Sequence, residues 1–242
     1  NEIFLDSAVK RSSVVSHAKN LGYVPNSKTA ATAIVDVTYG ENPGVATLLP
    51  GAQFTTTLNG KSYTFVNVNS AAIALDVSGS YMIKDLNIKE GSLSSVTYLV
   101  PDTANNTKYI IDDPNADTST ITVRVQNSQT DTTGLTDNWT RATDITQITS
   151  SSNIYFLEEN TDGNFEIYFG DDVIGKKPKA GNVITITYLV TNGSEANGAG
   201  NGDSASLRSF RYLNANNTVE VTSLATGGAD KESVDDIRFK AP

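Results

Sequence analysis

Glu158, Glu159, Glu166, Asp171 and Asp172, all within one short stretch of the chain, are the best carboxylate candidates for chemistry. Glycoside hydrolysis needs two carboxyl groups about 5–10 Å apart in a cleft. Adjacent residues on a strand point to opposite faces, so Glu158 and Glu159 are not expected to converge. The aromatic platforms expected of sugar subsites are sparse, with a single Trp, Trp139. The stretch therefore does not read as a hydrolase site. If it were one, changing Glu166 or Asp171 would abolish activity.

Other candidates for chemistry fail on spacing. The one histidine, His17, falls in a predicted helix with no Ser/His/Asp arrangement near it, and reads as a surface or packing residue. Asp113, Asn115 and Asp117 stand at the first, third and fifth positions of a calcium loop. The sixth position, which requires Gly, is Thr118, and the twelfth, which requires Glu, is Arg124, so the EF-hand reading fails. A turn with Asx capping accounts for residues 112–117, and an irregular cation site is the alternative. Gly198, Gly200 and Gly202 follow a strand but form no GxGxxG or GxxxxGK[ST], and no helix is evident after them. Lys176, Lys177 and Lys179 are the one basic cluster, read as a solvated turn or as a contact to an acidic partner. No catalytic, cofactor or metal site is expected, and no small-molecule substrate.

The element that positions the carboxylates runs from Tyr155 to Gly202. Phe165, Ile167 and Phe169 alternate with Asn164, Glu166 and Tyr168, so one face of that strand can be buried. Gly170 and Gly175 bracket Asp171 and Asp172, which implies backbone that a Cβ would obstruct. Val183 to Val190 is a run of β-branched and aromatic residues, the strongest strand signal present.

Residues 3–21 read as helical, with stripes of Leu5, Ala8 and Val9, then Val15, Ala18 and Leu21; Ser12 and Ser13 are placed to cap a second piece. Such a narrow stripe must lie on the chain's own sheet or on a neighbouring subunit. Gly22 and Pro25 end the helix. The period then becomes two, with Ala33, Val35, Val37 and Tyr39 on one face. Asn59-Gly60 between two alternating runs signals a type I′ hairpin. Short strand-like runs continue through residues 71–126, with Gly, Pro, Asn and Asp in the gaps. Asn127 to Thr149 reads as a long polar loop pinned by Trp139. Residues 192–206, rich in Gly, Asn and Ser, read as a flexible surface loop. Gly227-Gly228 leads into a helix with acidic residues at its start.

Composition narrows the class further. The chain has 242 residues, 27 acidic and 18 basic, for a net charge of -9. An acidic chain without a basic-aromatic stripe does not suit a nucleic-acid backbone. There are no cysteines, so disulfides and Cys-based metal sites are out, and a reducing compartment fits. No apolar run approaches the roughly 20 residues of a membrane span, and no leader pattern is present. Because it starts at Asn1, the chain is read as a piece of a longer polypeptide.

One further pattern carries a resemblance. FGDD-x-x-G-x-x-x-x-x-G-N-x-I-x-I-x-Y (from Phe169), followed by TNG and ANG, resembles the signature of the baseplate J-like family, structural subunits of contractile bacteriophage tails. The likeness is nearest to the wedge members of T-even-type phages that build the inner baseplate ring. Phe4–Ala30 is similar to the helical lead-in of such proteins. Ile110–Val125, Trp139 and Tyr155–Glu159 resemble an inserted β domain, and Gly227–Pro242 resembles the segment leaving the β core. Family members often have FGDG where this chain has Asp172, a residue able to take the left-handed conformation at small cost.

The fold so implied is mainly β (α+β): an N-terminal helix, then an antiparallel β-sandwich-like core with an inserted β domain. The expected plan is a helical lead-in at 1–30, a discontinuous β core of 31–70 plus 180–224, an inserted β domain at 71–179, and the start of a helical segment at 225–242. The resemblance implies a non-enzymatic scaffold of the virion tail baseplate, assembled in the host cytoplasm. Its partners would be itself, as a homodimer and in ring contacts, and other baseplate wedge subunits, with no nucleic acid and no membrane. Residues 3–21, 192–206 and 227–242 are the expected contact regions. The alternative is a β-rich adhesin or carbohydrate-binding tail module.

Overall fold

The computed structural model describes residues 2–102, 107–131, 136–200, 210–212 and 216–241. In chain order the elements are α1 (Arg11–Asn20), β1 (Thr32–Thr38), β2 (Thr47–Leu48), β3 (Gln53–Leu58), β4 (Lys61–Val66), β5 (Ala71–Ala72), β6 (Ala74–Leu75), β7 (Tyr81–Glu90), β8 (Ser92–Leu99), β9 (Tyr109–Ile111), β10 (Ala116–Gln126), β11 (Thr136–Arg141), β12 (Ile154–Glu159), β13 (Phe165–Phe169), β14 (Val183–Val190), β15 (Arg211–Tyr212), β16 (Thr218–Thr226) and α2 (Val234–Lys240), with short 3-10 turns at Ile145–Gln147 and Gly193–Ala196. The chain forms two compact units. One comprises residues 28–93 and 189–231; the other comprises residues 1–27, 94–188 and 232–242.

The first unit is built on a sheet ordered β15-β3-β4-β7-β1-β16, with β6 beside β7. Alternation along β1 buries Ala33, Val35 and Val37, as the period of two requires. The β3–β4 hairpin turns on Asn59 (φ 50) and Gly60 (φ 78), both left-handed as a type I′ turn demands. Its core is Val35, Val37, Phe54, Phe65, Ile88 and Phe210, among others. Phe54 stacks on Tyr212 at 4.6 Å, and Tyr39 meets the same ring edge-on at 6.1 Å. The sheet curls until β15 approaches β16.

The expectation had placed the runs near 71–89 in the inserted domain. Instead β7 pairs between β1 and β4 in this sheet, because Ile83, Leu86 and Ile88 supply part of the same core. Residues 180–224 also divide. β15 and β16 pair with strands of the 31–70 region, whereas β14 lies between β8 and β10.

The second unit is a sheet ordered β8-β14-β10-β11-β12-β13-β9. β10–β11, β12–β13 and β13–β9 pair antiparallel, whereas β11–β12 is a short parallel contact at Thr140–Ile154 and Arg141–Tyr155. Its two edge strands meet through side chains. The Tyr98 hydroxyl on β8 donates to the Ile110 carbonyl on β9 at 2.5 Å, and the Tyr98 and Tyr109 rings lie 5.3 Å apart.

Trp139, expected in a loop, is on β11 and buried, with its ring edge-on to Phe169 at 4.9 Å. It does anchor the polar stretch around it. Glu166, expected on an open face, is buried together with Phe165 and Ile167, because the terminal segments and Lys108 lie over that side of the strand.

The helix expected over residues 3–21 is confined to Arg11–Asn20. The Glu2 carboxylate accepts from the Val9 and Lys10 amides and thereby fixes a turn ahead of the helix. Ser12 and Ser13 lie inside the helix, and Lys10 occupies the N-cap without a side-chain cap bond. The apolar stripe of the helix packs on the C-terminal segment, while Arg11 and Lys19 tie the helix to the sheet, one of the two supports anticipated. Val14, Val15 and Ala18 pack with Ile237 and Ala241 of the C-terminal segment. α2 starts as its acidic residues suggest, with a capping box in which the Ser233 hydroxyl accepts from the Asp236 amide and the Asp236 carboxylate accepts from the Ser233 amide.

The FGDD turn is locked by its own side chains. Asp171 accepts from the Val173 and Ile174 amides, and Asp172 (φ 68) accepts from the Lys177 amide. A Cβ on Gly170 would sit 2.3 Å from the carbonyl oxygens of Ile174 and Gly175. Gly170→Ala is therefore expected to lower stability by about 1–3 kcal/mol, read as a loss of about 2–4 °C in Tm per kcal/mol. An unchanged melting curve would contradict this account of the turn.

Candidate functional site

Of the carboxylates singled out, Glu158, Glu159 and Glu166 come together, as ion pairs, whereas Asp171 and Asp172 stay in the FGDD turn. β12 and β13 place Glu158 directly opposite Glu166 in the antiparallel register. Like charges in that position repel. The Lys108 ammonium resolves the conflict by donating to both carboxylates, with 2.6 Å to Glu166. Lys19 of α1 adds a second cation to Glu158 at 2.5 Å. Glu159 is held from the same helix, where Arg11 donates two hydrogen bonds to it, at 2.7 and 2.9 Å. Such a forked pair is the strong form of a charge-assisted bond.

Arg11 also reaches the Glu232 carbonyl at 2.5 Å. The Glu232 carboxylate in turn accepts from the Tyr23 hydroxyl, the Asn26 amide, the Asn26 side chain and Lys240, all within 2.9 Å. Three chain segments far apart in sequence thus meet at one charged cluster. Beside it lies an open groove of about 390 Å³ lined by Ser12, Ser16, Lys19, Lys108, Glu158 and Glu166, among others. Glu159 lines the same groove, so the two adjacent glutamates share it despite their opposite strand faces.

The electrostatics argue against acid–base work. Burial pushes the Glu158 carboxyl up, but hydrogen bonds from Lys108 and Lys19 outweigh it and hold the group below its ordinary value. Glu232 behaves alike, with burial opposed by Lys240, Asn26 and Tyr23 and a net downward shift. The bonds to Glu158 and Glu166 raise Lys108. Burial and the bond to Glu232 push the Tyr23 hydroxyl up to about 12. A general acid needs a carboxyl raised toward neutrality, the reverse of what Glu158 shows.

The remaining candidates are structural. His17 Nε2 lies 2.9 Å from the Glu2 carbonyl and ties the leading turn to α1. Asp113 accepts from the Asn115 amide at 2.8 Å, the Asx turn expected at residues 112–117. Among the described residues no three His, Asp or Glu side chains are grouped to hold a metal ion. Lys176 pairs with Asp137 at 3.2 Å and stands 5.8 Å from the Trp139 ring, while Lys179 is exposed.

The expected flexible loop at 192–206 is packed over its described part, residues 192–200; residues 201–206, Gly202 included, lie outside the described residues. Ala196 and Ala199 are fully buried, and the Gly198 amide donates to the Ala225 carbonyl at 2.7 Å. Small residues here serve close approach rather than freedom. Gly193 (φ 70) would place a Cβ 2.7 Å from Asp230 Oδ1 and 2.9 Å from the Ala229 carbonyl oxygen.

Of the expected contact regions, the two termini carry exposed apolar side chains. Phe4 is 65% exposed, Val9 72% and Phe239 88%. The turn after Phe169 adds Val173 and Ile174. The spacing of carboxylates gave no hint of Arg11, Lys19, Lys108 or Glu232. Their partners lie up to 221 residues away in sequence, beyond any local pattern.

Comparison with known proteins places this geometry in context. Residues 99–190 match the description "Bacteriophage baseplate wedge protein gp6, third domain". "Baseplate wedge protein gp6" of Enterobacteria phage T4 is 31% identical over 98% of this chain and 38% of its own length. The chain therefore spans less than two fifths of the relative that it matches.

The cluster makes stability depend on pH in one direction. Glu158 and Glu232 have folded values below the ordinary 4.5, so their contribution is full above that value and is lost as pH falls through the folded values. Thermal melts between pH 7 and 3 are expected to show this contribution as a Tm that declines only below about pH 4.5. A Tm that rises on acidification would contradict the assignment.

Proposed function

The chain is a relative of bacteriophage baseplate wedge proteins, and from that premise we propose that it is a structural subunit of a contractile phage tail baseplate. It works by holding neighbours, as a homodimer and in ring contacts with other wedge subunits, within the virion tail baseplate assembled in the host cytoplasm. It takes part in the rearrangement of the baseplate that precedes sheath contraction. It performs no catalysis and needs no cofactor.

One observation carries this reading: the identity to the T4 wedge protein extends over 98% of the chain, terminal segments included. The geometry supports it. The carboxylates that could have served hydrolysis are occupied by Lys108, Lys19 and Arg11. Exposed Phe4, Val9 and Phe239 suit protein contact. A carbohydrate-binding module would present aromatic platforms, whereas Trp139 is buried against Phe169.

Interfaces of an obligate assembly bury about 2,000 Å² or more, enough to persist in dilute solution. Light scattering of the purified chain, alone and mixed with the other wedge proteins of its source, is expected to give a mass above the monomer or a stable mixed complex. A monomer in every mixture, together with saturable binding on a glycan array, would overturn the proposal in favour of an adhesin.

A further inference from the structure

We propose that the two terminal segments form one detachable clasp, docked on the β unit by charge and released from it as a single piece. The observation is a separation of forces. The apolar cluster around α1 is drawn from the terminal segments alone: Ala8, Val14, Val15, Ala18, Ile237 and Ala241, flanked by Leu5, Tyr23 and Val234. The segments are further bonded to each other. Arg238 donates to the Ala8 carbonyl, and Tyr23 and Asn26 bind Glu232.

The side-chain bonds from α1 to the sheet are ionic. Arg11 meets Glu159 and Lys19 meets Glu158, while Lys108 completes the pairing of Glu158 and Glu166. Asp162 lines the same groove. From the C-terminal side Lys240 is paired with Glu232, and Arg238 with Asp235, so these charges stay within the clasp. Asp236 is likewise engaged, by Ser233. The neutral fixed point is Ser27, whose hydroxyl lies 3.0 Å from Thr118 Oγ1 and accepts from the Thr118 amide.

Apolar burial holds the helices to each other under all ionic conditions, whereas charge pairs weaken as salt screens them. Of the two docking cations Lys19 is 51% exposed and open to that screening, and Arg11 is 27% exposed against a buried Glu159 and is screened less. Raising salt from about 0.1 to 1 M shortens the screening length from about 10 to 3 Å. Undocking uncovers Glu158, Glu159 and Glu166, a ready acidic seat, and carries the exposed Phe4, Val9 and Phe239 away on the moving piece.

Amide hydrogen exchange on the whole chain at about 0.1 and 1 M NaCl tests this. Helices of 10 and 7 residues are marginal once undocked, so peptides covering residues 11–20 and 234–240 are expected to accelerate together, by tenfold or more, while those covering β10 and β14 are unchanged. Glu159→Gln at low salt is expected to reproduce the acceleration, with the β10 and β14 amides reporting in the same sample that the unit is still folded. Three results would overturn the proposal: exchange in the helices that ignores salt, two helices that accelerate independently, or strands that accelerate with them.

Discussion

A single guanidinium joins the parts of the second unit that chain connectivity leaves apart. Arg11 on α1 grips Glu159 at the end of β12 and the Glu232 carbonyl just before α2. Closing loops of that length is entropically unfavourable, although the penalty grows only slowly with length. The bonds that close them must therefore be strong and specific. A forked, charge-assisted pair to a carboxylate whose side chain is fully buried meets that need. Around it the remaining charges fall into place: Lys108 separates the facing Glu158 and Glu166, and Glu232 gathers Tyr23, Asn26 and Lys240.

This arrangement suits the scaffold role proposed for this carboxylate-rich chain. Catalytic carboxyls are kept poised by environments that push their proton affinities apart. Here the buried glutamates are neutralised, and Glu158 is held down by its cations. The ends of each sheet approach one another as well. Tyr98 and Tyr109 bring β8 and β9 together, and β15 curls toward β16. What stays open for contact is side-chain surface, above all Phe4, Val9, Phe239, Val173 and Ile174. Apolar side chains left at termini and at a rigid turn are the kind of feature that marks protein contact sites.

Much of the fold was legible because local rules decide it. Alternation located β1 and β13, the β-branched and aromatic run at 183–190 located β14, Asn59-Gly60 located the hairpin, and the acidic run after Gly228 located α2. The bracketing glycines and Asp172 described the FGDD turn correctly, with Asp172 left-handed as anticipated. Where the reading failed, a distant partner decided the outcome. Glu2 turned residues 2–9 away from helix, Ile83 and Ile88 drew β7 into the first sheet, and Asp230 with Ala229 ordered the stretch at Gly193. The candidate site was legible only by half. Its carboxylates stand close in sequence, but the cations that define their role arrive from helix α1 and from Lys108. No single-residue pattern announces such a pairing.

The most direct test is a double-mutant cycle on Arg11 and Glu159, using Arg11→Met and Glu159→Gln with chemical denaturation of each variant. If this pair fixes the termini to the β unit, the two changes are strongly non-additive, with a coupling free energy above about 1 kcal/mol. Losses that simply add, to within about 0.5 kcal/mol, would contradict the account. They would mean that the Arg11–Glu159 pair does not fix the termini to the β unit.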